Sequence, residues 1–182
     1  MTSQGLRFEL RDQTQKAHKR LDAALIKHDL TTVSGLSAYL SVHYLAGKHL
    51  ETITLEPDCH KDISRKISAI EADLDLLSVS SPDWKAAPQA RNCHPLGLTY
   101  VIAGSALGSK LLFKSWSSSS DANVLNAKNF MTYSKDSKLW NKFLSRAEKT
   151  SPKKAELNEV IEAANHCFGI FEAANAQLTG RF

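Results

Sequence analysis

Three features of the chain predict an all-α fold, a single-domain helical bundle of about six to seven helices spanning residues 1–182. Apolar residues recur every three or four positions in most segments. No stretch alternates apolar and polar residues as a half-buried strand would. Glycine and proline, at 8 and 5 of 182 residues, are too scarce for a turn-rich β-sandwich. The length supplies a core for one domain rather than two.

The first helix is expected from Ser3 or Gln4 to about Lys27. Leu10, Thr14, Ala17, Leu21 and Leu25 fall on one side of it, and Asp12, Lys16, Lys19 and Arg20 on the other. A second helix is expected from Ser34, as N-cap, to Glu56, with Pro57 ending it. Ile63, Ile67, Ile70, Leu74 and Leu77 carry a third, from about Asp58 to Leu77. The run SVSSPDWKAAP reads as a loop. Pro95 suits the first turn of a fourth helix that runs to about Phe113. SWSSSSD reads as a flexible connector, followed by a short helix over 122–131 and a fifth long one from Ser134 to Lys149. Ser151 and Pro152 are expected to cap and open the last helix.

Composition narrows the partners. The formal charge of +4 arises from 23 Lys and Arg against 19 Asp and Glu, with signs mixed along the chain. There is no long like-charge run to indicate nucleic acid, and a small anionic ligand fits the balance. Cys59, Cys93 and Cys167 are odd in number and far apart, with no CxxC pair, so a reducing cytoplasm is expected rather than a disulfide framework. The polar N-terminus has no apolar signal segment, and Leu96–Phe113 is too interrupted to span a membrane.

Two segments carry chemistry. In LRDQTQKAHKRLD, His18 sits on the flank of the apolar stripe, and Arg11 lies on nearly the same side, about 10 Å along the axis. A neutral imidazole there suits a metal, and a guanidinium suits a carboxylate; the alternative is a boundary histidine on an amphipathic helix. In LGLTYVIAGSALGSKLLFK, Gly97, Gly104 and Gly108 share one helix face, with Ser105 at its edge. Each interior glycine costs about 1 kcal/mol against alanine. Either a closely packed helix or a flat ligand lying on bare backbone explains three of them.

Together these segments resemble the heme oxygenases, in their bacterial biliverdin-producing branch. The resemblance rests on LR, Thr14, His18 and LD in the first helix and on LGxxYVxxGSxLGxxxLFK in the fourth. Weaker similarity runs through HYLAGKHLE, NFMT, LWNKFL and ANHCFGIFEAANAQL, in the same order over nearly the whole chain. It implies that heme, both substrate and cofactor, lies between the first and fourth helices. His18 then matches the proximal iron ligand. Gly104, Ser105 and Gly108 match the distal element that steers oxygen to a meso carbon, and Arg11 a position that meets a propionate. Thr14 and Leu21 match positions against the porphyrin, and Phe168 joins the same set. The implied products are biliverdin, carbon monoxide and iron, with electrons from an external ferredoxin- or reductase-type donor. The implied protein is a cytoplasmic monomer or weak dimer.

Some positions depart from the family pattern. Ala103 stands where many relatives have Glu, Ser105 where the animal-type enzymes have Asp, and Ser109 where a smaller residue is usual. Lys138 and Lys142, one turn apart, are either a propionate clamp or plain surface lysines. Two alternatives stay beside turnover. One is a heme carrier that keeps His18. The other is a helical di-iron oxidase drawing on the four-residue spacings Glu56/His60 and Glu162/His166. A thiaminase-like reading would need Cys93 as nucleophile, and no base is paired with it in the sequence.

Overall fold

The computed structural model describes residues 5–53, 55–89, 91, 93–136 and 138–180, which form eight α-helices and, among these residues, no strand. The first, α1 (Leu6–Leu25), buries Leu6, Leu10, Thr14, Ala17 and Leu21, spaced at three or four so that they form one stripe. Its expected start at Ser3 or Gln4 lies outside the described residues, and it stops two residues short of Lys27.

The second helix, α2 (Val33–Leu50), is capped by Thr32, whose hydroxyl oxygen accepts from the Gly35 N–H at 3.1 Å, and not by Ser34. Gly35 is required here, because a Cβ would run into the Asp29 carbonyl. The helix ends six residues before Glu56. The Thr52 hydroxyl donates to the His49 carbonyl at 2.7 Å and closes a turn there. Pro57 does not stop α2; it opens α3 (Pro57–Leu76), where a first-turn proline loses no helical bond.

The loop after α3 is fastened by the Trp84 indole, which donates to the Leu45 carbonyl at 2.9 Å. The fourth helix, α4 (Pro95–Trp116), starts at the expected proline, with His94 Nδ1 accepting from the Leu96 N–H, and runs three residues past Phe113. The serine run beyond it is tied down rather than loose. The Trp116 indole donates to the Val124 carbonyl at 2.9 Å, and the buried Ser119 hydroxyl to the Thr31 carbonyl at 2.7 Å.

Three short helices follow: α5 (Ala122–Asn126), α6 (Asn129–Asp136) and α7 (Leu139–Ala147). Residues 134–149 therefore do not form the single expected helix. The start of α6 is set from a distance: the buried Asp73 of α3 accepts from the N–H groups of Asn129 and Phe130 at 2.9 and 2.8 Å. The last helix, α8 (Lys154–Thr179), begins two residues after Pro152 without a side-chain cap and ends on Gly180 at φ +66°, a left-handed terminus.

The longest helix, α8, is the axis of the bundle. α1, α2 and α4 all pack on it, α3 covers α2 and α6, and α6 and α7 cover α4. Gly97 belongs to this packing: a Cβ there would run into the Val160 carbonyl of α8. α1 and α4 lie against the same helix yet barely touch each other. Among the described residues no helix is long and apolar enough to cross a membrane.

Candidate functional site

The α1 stripe divides the candidate residues into two groups. Thr14 and Leu21 are buried in the bundle, and the Thr14 hydroxyl donates back to the Leu10 carbonyl at 2.7 Å. Protein therefore covers both of them. His18 and Arg11 stand outside the stripe, with side chains 57% and 62% exposed.

The His18 ring is held from two sides. Its Nδ1 lies 2.9 Å from an Asp22 carboxylate oxygen, one turn on. Its edge meets the buried Phe168 of α8, with ring centroids 5.6 Å apart and planes at 79°. A carboxylate only accepts, so Nδ1 is the donor in this contact and Nε2 is the nitrogen left for a ligand bond. Metal-binding histidines are commonly oriented in this way.

Along α8, His18 and the glycine turn of α4 lie at nearly the same level. His18 meets Phe168, and Phe171, one turn further, borders a small cavity with Ile102 and Ser105. On α4 the three glycines do not act as a set. Gly97 is consumed by α8, whereas a Cβ at Gly104 would meet only the Trp140 ring at 3.6 Å, and one at Gly108 nothing within 4 Å. Gly108 therefore leaves bare, exposed backbone, whereas Gly104 is half-buried beside the Trp140 ring.

Ser105 does not edge that bare face. Its hydroxyl donates to the Ile102 carbonyl at 2.7 Å, and Lys66 of α3 reaches it from within at 3.4 Å. The cavity that it borders holds about 20 Å³, room for one water and not for a macrocycle. His43 lines the same cavity, with a buried Nε2 that has no partner. Burial foremost, aided by the nearby Lys66 charge, pushes its pKa down to about 3.

The N-terminal turns of α1 add groups that the sequence reading missed. The Arg7 guanidinium lies 5.8 Å from the Trp140 ring, the ring nearest Gly104, and 5.4 Å from the exposed Phe8. Arg11 lies 5.4 Å from the same Phe8 and pairs with Asp12 at 3.1 Å. The signal was the spacing of four between Arg7 and Arg11, which puts two guanidinium groups on one face.

Other candidates are engaged elsewhere. Lys142 pairs with Asp58 of α3 at 2.8 Å, and Glu56 pairs with Arg146. No group of three or more His, Cys, Asp or Glu among the described residues is arranged to hold a metal ion, which leaves the di-iron alternative without a ligand set. The three cysteines are free, and Cys59 and Cys93 both lie near Cys167. Burial pushes the Cys59 thiol up to about 12 and raises Cys93 and Cys167 as well, the opposite of an activated nucleophile.

An axial imidazole is one protein ligand, not a cluster, and the donor set fits a heme on that basis. One exposed histidine is engaged by a carboxylate through Nδ1, exposed backbone stands at Gly108 of α4, and two guanidinium groups stand on the histidine's own helix. No protein-family model matches the chain, and no curated protein matches it.

Proposed function

We propose that the chain binds heme through His18 and cleaves it with dioxygen to biliverdin, carbon monoxide and iron, using electrons from an external ferredoxin- or reductase-type donor. The observation that carries this reading is the exposed His18–Asp22 pair, in which the carboxylate engages Nδ1 and leaves Nε2 as the nitrogen for an axial ligand bond. The resemblance of the first and fourth helices supports it.

When bound, heme supplies the iron that engages dioxygen and the ring that is opened. The chain's own residues have separate tasks. Asp22 fixes the His18 tautomer and strengthens its donor character. Phe168 limits the swing of the imidazole. Gly104 and Gly108 let backbone approach a flat ligand and offer no acidic side chain that would protonate and split an O–O bond. Arg7 and Arg11 are the groups to meet carboxylates at the ligand's edge.

A carrier without turnover is the second reading, and the inward turn of the Ser105 hydroxyl favours it, since that hydroxyl is engaged behind α4. The test is to add hemin to the protein, then a reductant in air. Loss of the Soret band with growth of biliverdin absorbance supports cleavage. A stable band supports the carrier, and no Soret change excludes both.

A further inference from the structure

Two charged residues interrupt the apolar stripe of α3. Asp62 and Lys66, one turn apart, have side chains only 8% and 11% exposed and pair at 3.0 Å. Tyr133 of α6 donates to the other Asp62 oxygen at 2.9 Å. Burying an ion pair costs several kcal/mol of desolvation, and well-packed apolar residues often do as well or better. The pair therefore calls for a reason besides stability.

The ammonium group supplies one by what it reaches. It donates to the Ile102 carbonyl at 3.3 Å and to the Ser105 hydroxyl at 3.4 Å, while Ser105 donates to the same carbonyl at 2.7 Å. These two acceptors flank Gly104, whose outer side has no side chain of its own and meets the Trp140 ring at 3.6 Å. A glycine turn has no side chain of its own to anchor it, so its position depends on what grips the backbone from behind.

We propose that Lys66, set in place by Asp62 and Tyr133, is a positioning residue that fixes the 102–105 turn of α4 and the direction of the Ser105 hydroxyl, and so the placement of the Gly104 face. This rests on the reading that heme lies over that face. Lys66 touches no ligand in this account; it acts through α4.

The test uses the full chain with Lys66→Met and Asp62→Asn combined, so that no lone carboxylate stays buried, beside Lys66→Arg as the conservative replacement. Two quantities are read: amide hydrogen exchange over residues 103–106 without ligand, and the pH midpoint of the ferric Soret change with hemin bound. In the double variant, exchange in that turn rises about tenfold or more while the rest of α4 is unaffected. The midpoint moves by about half a pH unit or more, and Lys66→Arg returns both toward the parent protein. Unchanged exchange together with an unchanged midpoint overturns the proposal. If the double variant does not fold, Tyr133→Phe, which removes only the donor to Asp62, is read in the same way, and no change in either quantity overturns it. If the parent protein binds no hemin, the functional reading fails, and exchange alone decides whether Lys66 holds the turn.

Discussion

The Asp22 carboxylate stands 2.9 Å from Nδ1 of His18, one turn along the same helix, and so fixes which ring nitrogen is engaged within the protein. A heme ligand oriented this way is a stronger donor than a free imidazole. Asp22→Asn keeps the shape but lets the ring turn or lose proton polarisation. It is expected to weaken hemin binding about tenfold or more in a Soret titration, with fold and melting temperature nearly unchanged because both groups are exposed.

Gly97 and Gly108 separate packing from ligand access. Gly97→Ala forces a methyl group against the Val160 carbonyl and is expected to cost about 3 kcal/mol or more in denaturant unfolding. Gly108→Ala meets nothing within 4 Å, so helix propensity alone acts and stability rises by about 1 kcal/mol. On the heme reading the same substitution impairs hemin binding. A Gly108→Ala protein that is more stable and binds hemin as before would remove Gly108 from the site.

Asp73 starts α6 from 56 residues away, accepting the N–H groups of Asn129 and Phe130 and the Asn129 amide. Asp73→Ala leaves those donors buried or frayed. A loss of about 3 kcal/mol is expected, read as a lower urea midpoint, with exchange rising first in residues 129–133.

That distant cap shows where sequence reading stopped. Helix stripes on α1 and α3, and the first-turn proline of α4, are local signals and were legible. The end of α2 was misplaced because Pro57 looked like a stop, whereas the Thr52 hydroxyl closes the helix earlier and Pro57 begins the next one. The start of α6 and the anchoring of the serine run depend on partners such as Asp73 and Thr31, which no local window contains. In the candidate site, His18 and Arg11 were singled out in the sequence, whereas the partners Asp22 and Arg7, each four residues away, were detectable by that spacing and were missed. The direction of Ser105 was not, because Lys66 on another helix sets it. Asp62 and Lys66 were still detectable in principle as two charges one turn apart on an otherwise apolar stripe.

Acid sensitivity follows from the buried imidazoles. His43 titrates near 6.5 when unfolded and near 3 when folded, and burial lowers His49 and His166 in the same direction. Between those two values the unfolded chain binds the extra proton, so stability is present above the unfolded pKa and is lost as pH falls toward the folded one. The slope is at most about 1.4 kcal/mol per pH unit for each such group. Melting temperatures from pH 7 down to about pH 4 should fall steadily. In His43→Gln the fall should be shallower, and equal slopes would deny His43 this role.

Axial ligation is tested most directly by titrating hemin into the parent protein and into His18→Ala, and following the Soret band. The parent protein is expected to give a sharp, saturable band that His18→Ala lacks, with added imidazole restoring it in the variant. Identical spectra from the two proteins, or no Soret change in the parent, would contradict His18 as the iron ligand.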